Sequence, residues 1–425
     1  MQLSREEQMA VSDKTEAELY RDSVPALVFW YAYNARVLPW REDPTPYHVW
    51  ISEIMLQQTR VEAVRGYYDR FLSELPTVEA VANAPEDRLI KLWEGLGYYS
   101  RVRNIAKAAR LLCEHNGGVL PDDYDSLRSL PGIGDYTAGA IASIAYGQRV
   151  PAVDGNVLRV YARLTAYRED IRAESFKKHV RKMLTDALEA GFPDRTFGKG
   201  ITSEGNAAAE GKTTADGNAT AEGKATPGQF NQAVMDIGAT VCIPNGKPHC
   251  DVCPLAHLCR AYAEDLTEEI PAKPAKKARP VQKKTILLIT DGERVLLHRR
   301  PEQGLLAGLW EFPNLEGHLT PEGARKAAAE IWNEATQSRG TDEPDSCRYQ
   351  AHRLKDCRHV FSHVEWEMRG YRICVAPGAA GETRNCLPDT EGTKAGGGEY
   401  VRVTADELEA EFGLPTAFKG FKLQL

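Results

Sequence analysis

No stretch of the 425-residue chain approaches the roughly 18 consecutive apolar residues that a membrane-crossing helix needs. Met1 to Tyr20 lack both the apolar core of a signal peptide and the arginine-rich character of a transit peptide. The expected compartment is therefore cytoplasmic. An excess of positive charge is also missing, since the formal net charge is −7. Net charge governs solubility and long-range steering, whereas a polyanion needs only a locally basic face. Such faces are present: Arg60, Arg65, Arg101, Arg103, Lys107 and Arg110 form one basic region and Lys273 to Lys284 another. An even, spread-out set of cysteines is absent too. There are nine, and four crowd between 242 and 259, which in a cytosolic chain reads as metal ligation rather than a disulfide framework.

The length predicts two or three domains, and a hydrophobic content of 42% is enough for cores. Residues 24–115 read as helices, among them Val24 to Tyr33, Tyr47 to Thr59, Glu86 to Trp93 and one starting at Ser100. The short helix Asp122 to Leu130 follows. Residues 200–228 are Gly, Ala, Thr, Asn, Glu and Lys. Within them Gly205-Asn206…Glu210-Gly211-Lys212 recurs as Gly217-Asn218…Glu222-Gly223-Lys224. So polar a segment buries nothing and reads as a disordered surface insertion. Phe230 to Val241 resumes the helix. Residues 268–284 mix Pro, Ala and Lys as a basic, semi-extended linker. Beyond it, Thr285 to Thr290 and Arg294 to His298 read as strands around an Asp291-Gly292 turn. An alanine-rich helix opens at Thr320-Pro321-Glu322, and Val360 to Val375 alternates again. The expected organisation is an all-α domain over 1–267, the linker, and an α+β domain over 285–425.

The chain is organised around Leu130-Pro131-Gly132-Ile133-Gly134-Asp135-Tyr136-Thr137, followed by Val153-Asp154-Gly155-Asn156. Pro-Gly-Ile-Gly breaks regular structure twice and leads into a helix through Ala145. Gly132 and Gly134 let backbone N–H groups converge just before the helix N-terminus, which suits an anion such as a DNA phosphate. Asp154 is a lone carboxylate in a Gly/Asn-flanked turn where left-handed backbone is easy. In Tyr47 to Thr59, Glu53 interrupts an otherwise apolar stretch. From these residues alone it is either a buried acid with a raised pKa or a solvent-facing side chain.

The Leu-Pro-Gly-Ile-Gly…Val-Asp-Gly-Asn pattern resembles the helix-hairpin-helix DNA glycosylases. The segment Trp50 to Thr59 (W-I-S-E-I-M-L-Q-Q-T) narrows the resemblance to MutY-type adenine DNA glycosylases. The likeness covers nearly the whole chain apart from the insertion. It implies an all-α helix-hairpin-helix glycosylase domain with an Fe–S module and an α+β Nudix-like C-terminal domain. Removing a base from deoxyribose makes an oxocarbenium-like sugar and a leaving group that wants a proton, so one carboxyl must be neutral and its neighbour ionised. By resemblance Glu53 is the acid toward adenine N7 and then the base toward water. Asp154 faces the developing cation, and Tyr136 and Asn156 hydrogen-bond the pair. Where endonuclease III-like glycosylase-lyases carry a Schiff-base lysine, this chain has Tyr136, so base release without strand cleavage is expected.

The resemblance also gives Gln58 as a minor-groove probe and Tyr98, in Gly95-Leu96-Gly97-Tyr98-Tyr99, as a wedge between stacked bases. Phe361, Ser362 and His363 form the turn that recognises 8-oxoguanine, with Ser362 able to accept or donate toward N7–H. The Ala324 to Glu334 helix offers only Glu330 and Glu334, short of the glutamate cluster a Nudix hydrolase needs. Cys242, Cys250, Cys253 and Cys259 are spaced C-x7-C-x2-C-x5-C. That spacing alone admits zinc or an iron–sulfur cluster. The family implies a [4Fe–4S] cluster, with one residue fewer in its first loop, that fixes the basic loop bearing Lys247 on DNA. The expected partner is double-stranded DNA containing A:8-oxoguanine or A:G mispairs, bound by a monomer with no membrane involvement. The rivals are an endonuclease III-like glycosylase-lyase, a non-catalytic Fe–S DNA-binding protein and a Nudix-type hydrolase of oxidised nucleotides. Tyr136, the Glu53–Asp154 pair and the missing glutamates argue against them in turn.

Overall fold

The computed structural model describes residues 4–193, 225–272, 278–336, 348–376, 393–395 and 398–425. The chain divides into two compact units, Met1–Asn83 with Asn104–Ala275, and Ala84–Arg103 with Lys276–Leu425. Among the described residues, no helix is long and apolar enough to cross a membrane.

The first unit is helical. The Glu16–Asn34 helix is opened by a capping box in which Thr15 and Glu18 satisfy each other's backbone N–H. It starts well before the expected Val24, with Pro25 accommodated inside it. The Pro46–Leu56 helix has Thr45 as its cap and Pro46 in its first turn. Tyr47 and every residue from Val49 to Met55 are buried, so this helix is enclosed on all sides and carries Glu53 inside with it. The Asp135–Ile144, Gly155–Leu164 and Pro227–Thr240 helices complete the surroundings of the site. The apolar faces of the last two share a core with the Glu174–Gly191 helix around Tyr161, Phe176, Leu184, Phe230 and Ile237.

Most of the expected 200–228 insertion lies outside the described residues. Its end is helix rather than insertion. Pro227–Thr240 begins at a Thr226–Gln229 capping box, which satisfies the first N–H groups without any help from composition.

In the second unit, nine strands form one mixed sheet among the described residues. They are β1 (Val281–Thr290), β2 (Val295–Arg299), β3 (Trp310–Glu311), β4 (Asn314–Glu316), β5 (Tyr349–Arg353), β6 (Cys357–Val360), β7 (Glu365–Val375), β8 (Thr393–Ala395) and β9 (Gly398–Val403). The main path runs β5-β7-β1-β2-β9-β8, with β3 on β2, β4 on β1 and β6 on β7. β1 and β7 run parallel from Val281↔Glu365 to Thr290↔Cys374, and the other pairs are antiparallel. Both sheet faces are covered, which explains the unbroken apolar run in β1. Ile286 and Leu288 pack with Phe312, Trp366, Phe418 and Phe421. Leu287 and Ile289 pack beneath Ala324, Ala328 and Trp332 of the Pro321–Thr336 helix.

Two expected boundaries move. The linker expected over 268–284 has residues 273–277 outside the described residues, and it ends early because the long pairing with β7 extends β1 back to Val281. Residues 84–103, expected in the helical domain, cluster with the sheet unit instead. Lys91 Nζ donates to the carbonyl of Phe412 at 3.2 Å, the N–H of Leu414 donates to Glu94 Oε1 at 3.1 Å, and Arg103 Nη1 donates to the carbonyl of Ala307 at 2.6 Å. These polar ties bind the segment to the chain's C-terminal part.

Candidate active site

Glu53 is buried at 5% exposure on the Pro46–Leu56 helix. Its Oε2 accepts a 2.6 Å hydrogen bond from the phenol of Tyr136, which stands in the first turn of the Asp135–Ile144 helix. Burial pushes the Glu53 carboxyl up to about 7, helped by the charge of Asp154 and opposed by the Tyr136 hydrogen bond and Arg41. Burial also raises the Tyr136 phenol well above its usual range, so it stays a donor.

Asp154 is held differently. Its backbone is extended (φ −109°), and its carboxylate caps the Gly155–Leu164 helix. The expected left-handed turn is thus a helix N-cap, because Asp154 Oδ1 satisfies two of the orphan N–H groups there. Oδ1 accepts from the N–H of Asn156 at 2.9 Å and of Val157 at 2.8 Å, and Oδ2 accepts from Asn156 Nδ2 at 2.7 Å. Burial raises this carboxyl too, while those donors and Arg159 pull it back. Asp154 therefore has three hydrogen bonds favouring its ionised form against one for Glu53. Glu53, Tyr136, Asp154 and Asn156 line one cavity.

Composition and motif hid several residues here. Asp236 is fully buried between Arg36 and Arg41, with contacts of 2.6 and 2.8 Å, and both arginines line the same cavity. The tie spans some two hundred residues of sequence and leaves no local trace. Arg159 and Arg163 were detectable in principle, as two arginines four apart in an otherwise apolar helix. Arg159 Nη2 donates to Asn156 Oδ1 at 2.8 Å and to the carbonyl of Gly238 at 2.6 Å, and its Nε donates to the carbonyl of Cys242 at 2.9 Å.

The hairpin forms before the Asp135–Ile144 helix. Gly132 has φ +79°, and a Cβ there would meet Asn104 Cβ at 2.7 Å. Gly134 is extended and serves as the helix N-cap. Asp135, which the motif did not flag, is paired with Arg128 and with Arg181 at 2.7 Å.

Gln58 and Tyr98 both adopt left-handed backbone, with φ of 57° and 47°. Such strain in non-glycine residues concentrates at functional positions. Tyr98 is 46% exposed, with the Arg101 guanidinium 5.6 Å from its ring centroid. Phe361, Ser362 and His363 form the turn between β6 and β7 rather than the start of the expected strand. The N–H of Phe361 donates to the carbonyl of Val364 at 2.9 Å, and Arg279 Nε donates to the carbonyl of Ser362 at 3.1 Å. The Phe361 ring stands edge-on to Trp366 at 4.9 Å. Tyr98 Oη and Ser362 Oγ share a 2.6 Å hydrogen bond.

Cys242, Cys250, Cys253 and Cys259 line a second cavity, and none of the four is in a disulfide. Arg163 Nη1 lies 3.2 Å from Cys242 Sγ. Burial pushes the Cys253 and Cys259 thiols up. Among the described residues no three His, Cys, Asp or Glu side chains converge as a single metal ion would require. The longer first cysteine loop turns at Gly246 (φ +79°) and closes with the N–H of His249 on the carbonyl of Val241 at 3.0 Å.

Comparison with known proteins agrees with this architecture. Residues 51–185 match the HhH-GPD superfamily of base excision DNA repair proteins, and residues 285–422 match the NUDIX domain. The chain is 31% identical to the adenine DNA glycosylase of Mus musculus, over 86% of this chain and 72% of that protein. It is 31% identical to that of Homo sapiens, over 85% and 68% respectively. With the adenine DNA glycosylase of Buchnera aphidicola subsp. Baizongia pistaciae it shares 34% identity over 67% of this chain and 71% of that protein. Likeness of that degree, running through both domains, places the chain in the adenine DNA glycosylase family of the HhH-GPD superfamily.

Proposed function

We propose that the chain hydrolyses the N-glycosidic bond of adenine mispaired with 8-oxoguanine or guanine in double-stranded DNA, acting as a monomer and leaving an abasic site. The observation that carries this reading is that Glu53 and Asp154 face one cavity with unequal hydrogen bonding. An adenine turned out of the duplex enters that cavity. Glu53, with a carboxyl near neutrality, gives its proton to N7 as the bond to C1′ breaks. Asp154, its charge held by three N–H donors, faces the oxocarbenium-like sugar. Glu53 then takes a proton from the attacking water. Tyr136 fixes Glu53, and Asn156 fixes Asp154.

Gly132 and Gly134 hold a backbone phosphate at the hairpin, Gln58 probes beside the mispair and Tyr98 fills the space the adenine leaves. Phe361, Ser362 and His363 read the opposite base. Cys242, Cys250, Cys253 and Cys259 hold a [4Fe–4S] cluster. Their shared cavity supports that assignment. The cluster supplies no step of the hydrolysis; it anchors the loop bearing Lys247.

A phenol at Tyr136 forms no Schiff base, so the strand stays intact. Duplexes carrying adenine opposite 8-oxoguanine test the reading: breaks are expected only after alkali. Equal cleavage without alkali would favour the glycosylase-lyase reading, and no adenine release would remove the enzymatic one.

A further inference from the structure

Asn231 is an amide buried at 2% exposure in the Pro227–Thr240 helix, outside the machinery described above. Its Oδ1 accepts from the N–H of Ala152 at 3.1 Å, and its Nδ2 donates to the carbonyl of Val150 at 2.9 Å and to Ser143 Oγ at 2.8 Å. Three of the four hydrogen bonds the amide can make are thereby formed.

The pattern is specific. Residues 150–154 join two helices without regular structure of their own, and Pro151 brings no N–H. The carbonyl before Pro151 and the N–H after it are the kind of pair a neighbouring strand takes in a sheet. Here one side-chain amide takes both. The segment is also closely approached by the Asp135–Ile144 helix, since a Cβ on Gly139 would lie 2.5 Å from the carbonyl oxygen of Pro151. Two residues beyond this clamp stands Asp154, already fixed at the start of its own helix by Asn156 and Val157.

Resting on the reading that Asp154 is catalytic, we infer that Asn231 is a positioning residue for the reaction, clamping the 150–152 segment so that the Asp154 carboxylate meets the sugar at the required place. A shift of about 1 Å in such a group costs on the order of 10²-fold in rate.

The test uses the full chain and duplexes with adenine opposite 8-oxoguanine, measuring single-turnover adenine release, duplex affinity and thermal unfolding. Asn231→Ala is expected to slow release by about 10²-fold with affinity unchanged. Asn231→Asp is the sharper probe. Its protonated carboxyl accepts from Ala152 N–H and donates to Val150 as the amide does, whereas its ionised form cannot donate. Its rate relative to wild type should therefore climb as pH falls, and taking the ratio at each pH removes the titration of Glu53. An Asn231→Ala chain that melts earlier but releases adenine at the wild-type rate overturns the inference. So does an Asn231→Asp ratio that ignores pH. Asp154→Asn run alongside separates the two levels. If it keeps wild-type release, the catalytic reading of Asp154 fails and the clamp falls with it. If it is inactive, the Asn231 variants decide the clamp alone.

Discussion

The phenol of Tyr136 donates a 2.6 Å hydrogen bond to Oε2 of Glu53, joining the Asp135–Ile144 helix to the Pro46–Leu56 helix across 83 positions of sequence. This bond stabilises the ionised carboxylate while burial opposes it, and burial wins, leaving Glu53 at about 7. Removing the donor must therefore raise the carboxyl further. Tyr136→Phe should move the alkaline limb of the rate–pH profile to higher pH. A limb that stays in place, or moves down, would show that the bond does not set the acid's strength.

The same shift makes folding stability depend on pH. Below about 4.5, Glu53 is protonated in both the folded and the unfolded chain. Between there and about 7 the unfolded chain ionises while the folded one holds its proton, so stability falls as pH rises. The loss amounts to roughly 3 kcal/mol once pH exceeds the folded value. Glu53→Gln has no such group. Its stability should gain on wild type by about that much across this window, as measured by denaturant unfolding at several pH values. A constant difference between the two chains would contradict the raised pKa.

Asp236 sits without exposure between Arg36 and Arg41. Asp236→Asn leaves two guanidinium groups facing each other with no counter-charge. The expected cost is roughly 3–5 kcal/mol in unfolding free energy. A loss below about 1 kcal/mol, the scale of an exposed pair, would mean that the arginines find other partners.

If the four cysteines hold a cluster, purified protein should carry about four iron and four acid-labile sulfide per chain. Cys259→Ser should lower both and lower the thermal midpoint. Stoichiometric zinc with no sulfide would replace the cluster assignment with a mononuclear site.

Legibility followed locality. Glu53, Asp154, Tyr136 and the four cysteines lie in short motifs, and the structure brings the first three to one cavity and the four thiols to another. The apolar β1 run and the Asp291-Gly292 turn also announced themselves; Thr290 pairs with Val295 across that turn. What stayed hidden was long-range. Asp236 with Arg36 and Arg41, and Asn231 with Val150 and Ala152, join positions distant in sequence and have no periodicity to betray them. The start of β1 was obscured because Gln282, Lys283 and Lys284 look like linker residues. Pairing with β7 recruits their backbone regardless of side chain. Asp154 looks like a turn in sequence because Gly155 and Asn156 beside it tolerate left-handed backbone. The cap it provides offsets that local preference.

The most direct measurement is single-turnover adenine release from a duplex with adenine opposite 8-oxoguanine, followed from about pH 5 to about pH 9. Wild type should slow as pH rises through about 7. Glu53→Gln should be slower by at least ~10²-fold and lack that limb. A wild-type rate indifferent to pH, or a Glu53→Gln chain as fast as wild type, would contradict the account.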